Sequence, residues 1–471
     1  MNLNPFMLVG VIIFIVLFFF LALKRLDWAL LLLVAALPTY LIRFHFFGLP
    51  LTLLEAMILI AFTVWFFGRF RPELKKIRGN LTGRIPYPYY REIILLLIIS
   101  LAAAGVAGFS ANALGIWKAY FFEPLLLFIM IFNVFKDKRD QKKILWALLV
   151  SAVAVSLCAL FQKVTGLFIA NPFWADAANR RVVSFFGYPN AVGLYLAPLI
   201  ALFLGWFLAE SGAAKQKGVF KKLAIAVVIA LSLLAIYFAR SEGALIGLAA
   251  GLILFGLLAG KKPRIATVIL LALAVGGLLF SAPLKNYFVN KITLRDLSGE
   301  IRKQQWKETI SLLTGTKIIT GAGLDNYQAA VKPYHQEGIF FNRDNMPNFD
   351  SQLYGSSTLR AIYWQPVEIY KYPHNIFLNF WSELGLFGAL LFVWIIFKYL
   401  YGSLKLTVAF GRENNPEKYL ALGLLIAMIV IVVHGLVDVP YFKNDLAAMF
   451  WLLIALTAAL DLSYRRANLQ L

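Results

Sequence analysis

"GALIGLAAGLILFGLLAGKKPRIATVILLALAVGGLLF", residues 243–280, is two apolar runs parted only by the basic tetrapeptide KKPR at 261–264. Each run approaches the ~20 residues that an α-helix needs to cross the hydrocarbon of a bilayer. In that medium every backbone amide must be satisfied within the segment, so such runs fold as helices. The pattern recurs in both directions from this hairpin. Apolar runs at 5–23, 28–42, 49–67, 93–109, 118–135, 144–164, 190–209, 223–239, 244–260, 265–283, 374–400, 419–437 and 445–461 predict about thirteen spans, or twelve if the short second one, which contains Pro38, does not cross. Hydrophobic residues make up 61% of the 471 and mean hydropathy is +0.75. The expected fold class is all-α, a polytopic integral membrane protein.

The formal net charge of +21 would point to nucleic acid in a soluble chain. Sorted by loop, it points elsewhere. KRLD at 24–27, the 68–92 loop with seven Lys/Arg, KDKRDQKK at 136–143, the 210–222 loop with four, KKPR, the 401–418 loop and the YRR tail hold most of the basic residues in alternate connections. Short cytoplasmic loops collect Lys and Arg, so this set marks the cytoplasmic face and the C-terminus is expected inside. Nucleic acid is not an expected partner. Pro5 to Leu23 has no basic segment before it and no small-residue cleavage site, which predicts a retained span. Cys158 is the lone cysteine, so neither an intramolecular disulfide nor a Cys-based metal site is available.

One connection on the opposite face stands apart. Residues 284–372 carry eleven Lys/Arg against eight Asp/Glu, and their place in the alternation makes them external. A loop of this length is usually functional. It opens with SGEIRKQQWKETISLL at 298–313, where Ile301, Trp306, Ile310 and Leu313 fall on roughly one helical face, predicting a short helix lying at the outer membrane surface. No internal repeat is evident. The expected organisation is one membrane domain, 1–471, with an external cap.

Candidate chemistry gathers near that cap. KYPHNIFLNFWSELGLFG at 371–388 puts His374 at the outer mouth of a span, followed by Asn375, Asn379, Ser382 and Glu383 on one helical stripe expected to face the protein interior. Those residues could equally serve helix packing. Arg240, in YFARSEGALIG, is an isolated charge between two spans that could pair with Glu242 or snorkel to water. NRRVVSFFGYPNAVG at 179–193 adds Arg180, Arg181 and Asn190, which a solvated basic loop would also explain. Arg302 and Trp306, four apart, could form a cation–π pair. His434 and Asp438 are too few for a metal site, and no outer DxD is present, so no metal and no cofactor are expected. Arginine forks suit a pyrophosphate, and a histidine can take a proton from an acceptor hydroxyl.

Taken in order, ARSEGALIG at 239–247, IRKQQW at 301–306, GAGLDNY at 321–327, PHNIFLNFWSELGLFG at 373–388 and HGLVDVPYF at 434–442 resemble the O-antigen ligase and O-antigen polymerase superfamily of bacterial envelope glycan enzymes. The resemblance implies a membrane-embedded, metal-independent, GT-C-like glycosyltransferase of the inner membrane. Its donor would be a polyprenyl-diphosphate-linked glycan and its acceptor a hydroxyl on a glycan, lipid or protein. Arg240 and Arg302 correspond to pyrophosphate-binding arginines and His374 to the catalytic histidine. Where many relatives have a second basic residue after Arg240, this chain has Glu242. Arg180, Arg181, Asn190, Asn375 and Trp306 are further substrate-binding candidates. A transporter or lipid-linked glycan flippase is the alternative, since buried charges and many spans would serve it too.

Overall fold

The computed structural model describes residues 4–46, 49–70, 87–210 and 218–469. Most of the basic 68–92 loop and the middle of the 210–222 loop lie outside them. The described chain is predominantly helical. Asn4 accepts from the Phe6 amide and Pro5 occupies the first turn, which starts α1 (Pro5–Lys24). There follow α2 (Leu26–Ala35), a hairpin of β1 (Arg43–Phe46) with β2 (Leu49–Thr52), α3 (Leu53–Trp65), α4 (Tyr90–Val106), α5 (Ala111–Val134, with a π turn at Lys118–Phe122) and α6 (Lys138–Thr165). Next come α7 (Pro189–Ala209), α8 (Val219–Ala239), α9 (Glu242–Ala259), α10 (Lys261–Phe280), α11 (Ala282–Ile292) and α12 (Leu297–Leu312). The chain closes with α13 (Ile376–Arg412), α14 (Glu417–His434) and α15 (Asn444–Leu469).

Ten helices among the described residues are long and apolar enough to cross a membrane. The protein is therefore a multi-pass membrane protein, with fewer full-length spans than the twelve or thirteen expected. The difference lies in α2, α3 and α4, which fall on three of the expected spans but have 10, 13 and 17 residues. Pro38 ends the helical run after α2 in a 3-10 turn at Leu37–Leu41. Thr52 and Glu55 form a reciprocal capping box that fixes the start of α3 after the hairpin.

The interior is built around α7, α14 and α15. Gly205 of α7 meets Gly423 of α14 so closely that a Cβ on either would strike the other backbone. Small residues of this kind let membrane helices approach to backbone contact. At the periphery, α10 has no buried residue, as expected of a helix whose neighbour is lipid.

Between α12 and α13, short helices and a hairpin of β3 (Gly338–Phe340) with β4 (Trp364–Pro366) make a cap with its own small apolar cluster of Leu312, Ala322, Tyr327 and Val331. The helix predicted over 298–313 is α12, and the face that it turns to the protein is largely polar. Ile310 is 59% exposed, whereas Gln304, Gln305, Glu308 and Thr309 are buried. The reason is polar pairing with the cap: Thr309 bonds the Tyr327 hydroxyl at 2.7 Å, and Glu308 binds His335 and the Gln336 amide. GAGLDNY is a docking turn and not a nucleotide loop. Gly321 (φ +68°) and Gly323 (φ +87°) lie against the backbones of α13 and α4, leaving no room for a Cβ.

Candidate active site

His374 follows Pro373 in the left-handed region, with φ +47°, and Asn375 then caps α13 by accepting from the Phe377 and Leu378 amides. A second bond, from Asn375 Nδ2 to the Leu436 carbonyl, ties this corner to the segment after α14. The corner is thus held from both strands of chain. The polar stripe faces inward as expected, with Asn379, Ser382 and Glu383 all buried. Of the Glu383 oxygens, Oε2 accepts from the Asp325 amide and Oε1 has no partner.

The enclosed ring nitrogen of His374, Nδ1, lies 3.7 Å from Asp438 Oδ1, while Nε2 is not among the enclosed atoms and is left to the accessible side. Tyr370 packs edge-on against the imidazole, centroids 5.1 Å apart. Asp438 is buried and accepts from Asn190 Nδ2 and the Val439 amide. Burial alone would raise its pKa, but the neighbouring His374, then His434 and the Val439 amide, more than offset this and hold the carboxyl below the usual range. It is a buried carboxylate that faces the His374 imidazole.

The arginines divide into those at this corner and one that is not. From α12, Arg302 donates through Nε to the Val437 carbonyl and through NH1 to Ser298, and its NH2 makes no hydrogen bond among the described residues. One turn on, Trp306 donates to the Pro373 carbonyl. The two do not stack on each other as a cation–π pair; they bracket His374 by gripping the backbone on either side of the His374–Asp438 contact. Arg181 donates to the carbonyls of Ala239 and Arg240 and to Asn190 Oδ1, extending the chain of contacts to Asp438. Burial and then the like charge of Arg240 lower the Arg181 pKa, with Glu242 opposing. Two guanidinium groups drawn together favour an anion between them.

Arg240 ends α8 with φ +51°, exposed, and its guanidinium makes no hydrogen bond or ion pair among the described residues. Glu242 is not its partner. That carboxylate is held by Lys291 at 2.7 Å, and Lys291 also binds Asp296 at the start of α12. The departure at position 242 thus joins α9 to the cap instead of neutralising Arg240. Arg180 points away: it donates to the carbonyls of Lys163, Val164 and Ala175 and closes the C-terminal end of α6.

Residues 226–393 match the O-antigen ligase family. This match supports the resemblance to the O-antigen ligase superfamily and, in general, a ligase-type glycan transfer. No curated protein matches the chain significantly. Arg240, Arg302 and His374 fall inside the matched ligase-family segment; Arg181, Asn190 and Asp438 lie outside it and reach the corner through the fold.

Asp438 is the functional candidate that sequence reasoning missed: it stood in HGLVDVPYF and, with His434, as too small a group for a metal site, and was given no role. Lys443 went unnoticed. Its ammonium sits 4.0 Å from the Tyr188 ring centroid with no carboxylate of the described residues within ion-pair distance, and burial lowers its pKa against the pull of Asp445 and Asp438. The available signal was the density of polar residues in HGLVDVPYFKND, a short link between two apolar helices. Among the described residues no three His, Cys, Asp or Glu side chains are grouped as a metal site requires.

Proposed function

We propose that this protein transfers a glycan from a polyprenyl diphosphate to an acceptor hydroxyl at the outer face of a bacterial inner membrane. The observation that carries this reading is the His374–Asp438 pair beside Arg302, whose NH2 makes no hydrogen bond among the described residues, with Arg181 linking Asn190, the partner of Asp438, to Arg240. His374 Nε2 takes the proton of the acceptor hydroxyl as its oxygen attacks the anomeric carbon. The carbon–oxygen bond to the diphosphate breaks, and the glycan leaves the carrier with inversion at that carbon.

Charge develops on the departing diphosphate, and donors already aimed at it lower the barrier most in a site shielded from water. Arg302 NH2 and the unpaired Arg240 guanidinium supply them. Asp438 stabilises the imidazolium while the proton resides there. Cationic side chains take the place that a divalent ion would have, so the reaction is proposed to need no metal. The cap, residues 284–372, is proposed to be external, which puts this corner on the side where the lipid-linked glycan is presented.

Purified protein with a synthetic polyprenyl-diphosphate glycan and a hydroxyl acceptor tests the reading. The expected outcome is a product joined to the acceptor together with free polyprenyl diphosphate. Release of the carrier with only hydrolysed sugar, or movement of intact donor across a vesicle membrane, would overturn it.

A further inference from the structure

The cap carries a groove separate from the His374 corner. It lies beside the β3–β4 hairpin, has a volume of about 650 Å³, and is lined among others by Gln336, Glu337, Phe340, Asp350 and Trp364. That volume is within the roughly 300–1,000 Å³ of small-molecule sites. Phe340 and Trp364 are paired in the strand register, with rings 5.1 Å apart, yet each remains about two-fifths exposed at 42% and 41%. Gly338 makes this possible: a Cβ there would strike the Trp364 ring and the Gln365 carbonyl, so only glycine lets the indole lie across the hairpin. Glu337 and Asp350 are exposed, and neither carboxylate has a hydrogen bond or ion pair among the described residues.

We propose that this groove binds the sugar chain of a substrate, with a pyranose face against Trp364 and Phe340 and its hydroxyls donating to Glu337 and Asp350. The proposal rests on the glycan-transfer reading. A pyranose offers an apolar face of C–H groups and a rim of hydroxyl donors, and the groove offers an aromatic wall and acceptor carboxylates. A lipid surface is the less fitting occupant. Segments that lie in the headgroup layer pair their aromatic residues with Lys and Arg, whereas here two unpaired carboxylates would be dragged in with the rings.

The groove is also mechanically joined to the catalytic corner. Glu308, buried on α12, accepts from Gln304 at 3.0 Å and from the Gln336 amide at 2.9 Å, and its other oxygen faces His335 Nδ1 at 3.2 Å. His335 Nε2 reaches the Val367 carbonyl on the far side of the hairpin. Arg302 lies six residues earlier on the same helix, about 9 Å along its axis. One rigid helix therefore spaces a site for the sugar chain from a site for the diphosphate.

The test uses the full-length protein in lipid nanodiscs and, as probe, the source organism's own envelope polysaccharide, released by mild acid and fractionated to a few repeat lengths. Saturation-transfer NMR is read on wild type, His374→Ala, Trp364→Ala, Trp364→Phe and the double variant Glu337→Gln/Asp350→Asn. Binding is expected in wild type and His374→Ala, weakened at least tenfold in Trp364→Ala and in the double variant, and largely restored in Trp364→Phe.

In the transfer assay Trp364→Ala should raise KM for the long-chain substrate with kcat little changed; a rise for the donor or for the acceptor assigns the chain to that substrate. Equal binding by all variants, or none by wild type, overturns the groove even where wild type transfers glycan. Binding without any transfer supports the groove and overturns the reading it rests on. Quenching of Trp364 fluorescence by brominated lipids, measured as the difference between wild type and Trp364→Phe, would show a membrane contact and also overturn it.

Discussion

At the scale of single residues, the proposal separates His374, the proton acceptor, from the groups that position it. His374 and Arg240 both hold left-handed backbone, which costs a non-glycine residue about 1 kcal/mol or more and persists only where the surroundings over-determine it. His374→Ala and His374→Gln are expected to lose about 10²–10⁴-fold in transfer at unchanged protein level, since glutamine keeps the size but cannot accept the proton. Near wild-type turnover by His374→Gln would assign the base elsewhere. Asp438→Asn should lower kcat by about 10²-fold or more while KM for both substrates moves little, and Asp438→Glu should recover part of the loss. The two neighbouring arginines should separate cleanly. Arg181→Ala is expected to cost at least about tenfold in transfer because it holds Asn190 and the Arg240 backbone, whereas Arg180→Ala should lower thermal stability with activity per folded molecule preserved. Equal losses of activity in the two would remove that distinction.

At the scale of elements, α13 is broken where the cap docks. Gly385 has φ +75° and ψ −177°, a conformation essentially confined to glycine, inside what is otherwise one long helix. The break admits the 318–325 segment: Ala322 donates to the Ser382 carbonyl at 2.7 Å, Trp381 to the Ile318 carbonyl, and the Asp325 amide to Glu383. A Cβ on Gly385 would run into the Ile319 carbonyl. Gly385→Ala is therefore expected to destabilise the protein by about 3 kcal/mol or more, from backbone strain plus the clash. Thermal unfolding in detergent, followed by size-exclusion profile, checks this, and a wild-type profile would mean that the cap is not held there. The other anchor is α12, whose polar face meets the cap and whose Arg302 and Trp306 grip the His374 corner. Loosening the cap should therefore reach the chemistry.

At the scale of the whole molecule, the predictions concern sidedness and ions. In a Cys158→Ser background, Asn345→Cys in the cap should react with an impermeant thiol reagent on intact cells, and Lys261→Cys in the KKPR turn should react only after lysis. The reverse pattern would put the corner on the wrong side for an externally presented donor. Transfer should persist in excess EDTA, because the leaving diphosphate is met by arginines. Activity that disappears with EDTA and returns with magnesium would contradict this.

Hydropathy along the chain was enough to show a helical membrane protein, because the cost of placing a side chain in hydrocarbon is nearly additive and local. The ordered motifs were enough to single out Arg240, Arg302 and His374. The rest depended on contacts that local periodicity does not carry. Asn190 meets Asp438 across 248 positions, and Arg302 meets the Val437 carbonyl across 135. Two adjacent arginines, alike in sequence, were sent to opposite tasks by the carbonyls they happened to reach. On α12 the apolar spacing marked the helix but not its buried polar face, since Glu308 and Thr309 complete their hydrogen bonding with His335, Gln336 and Tyr327, which only the folded cap brings to them. A residue's preference for water or lipid is written at its own position, but the partner that satisfies a buried polar group is supplied by the tertiary structure.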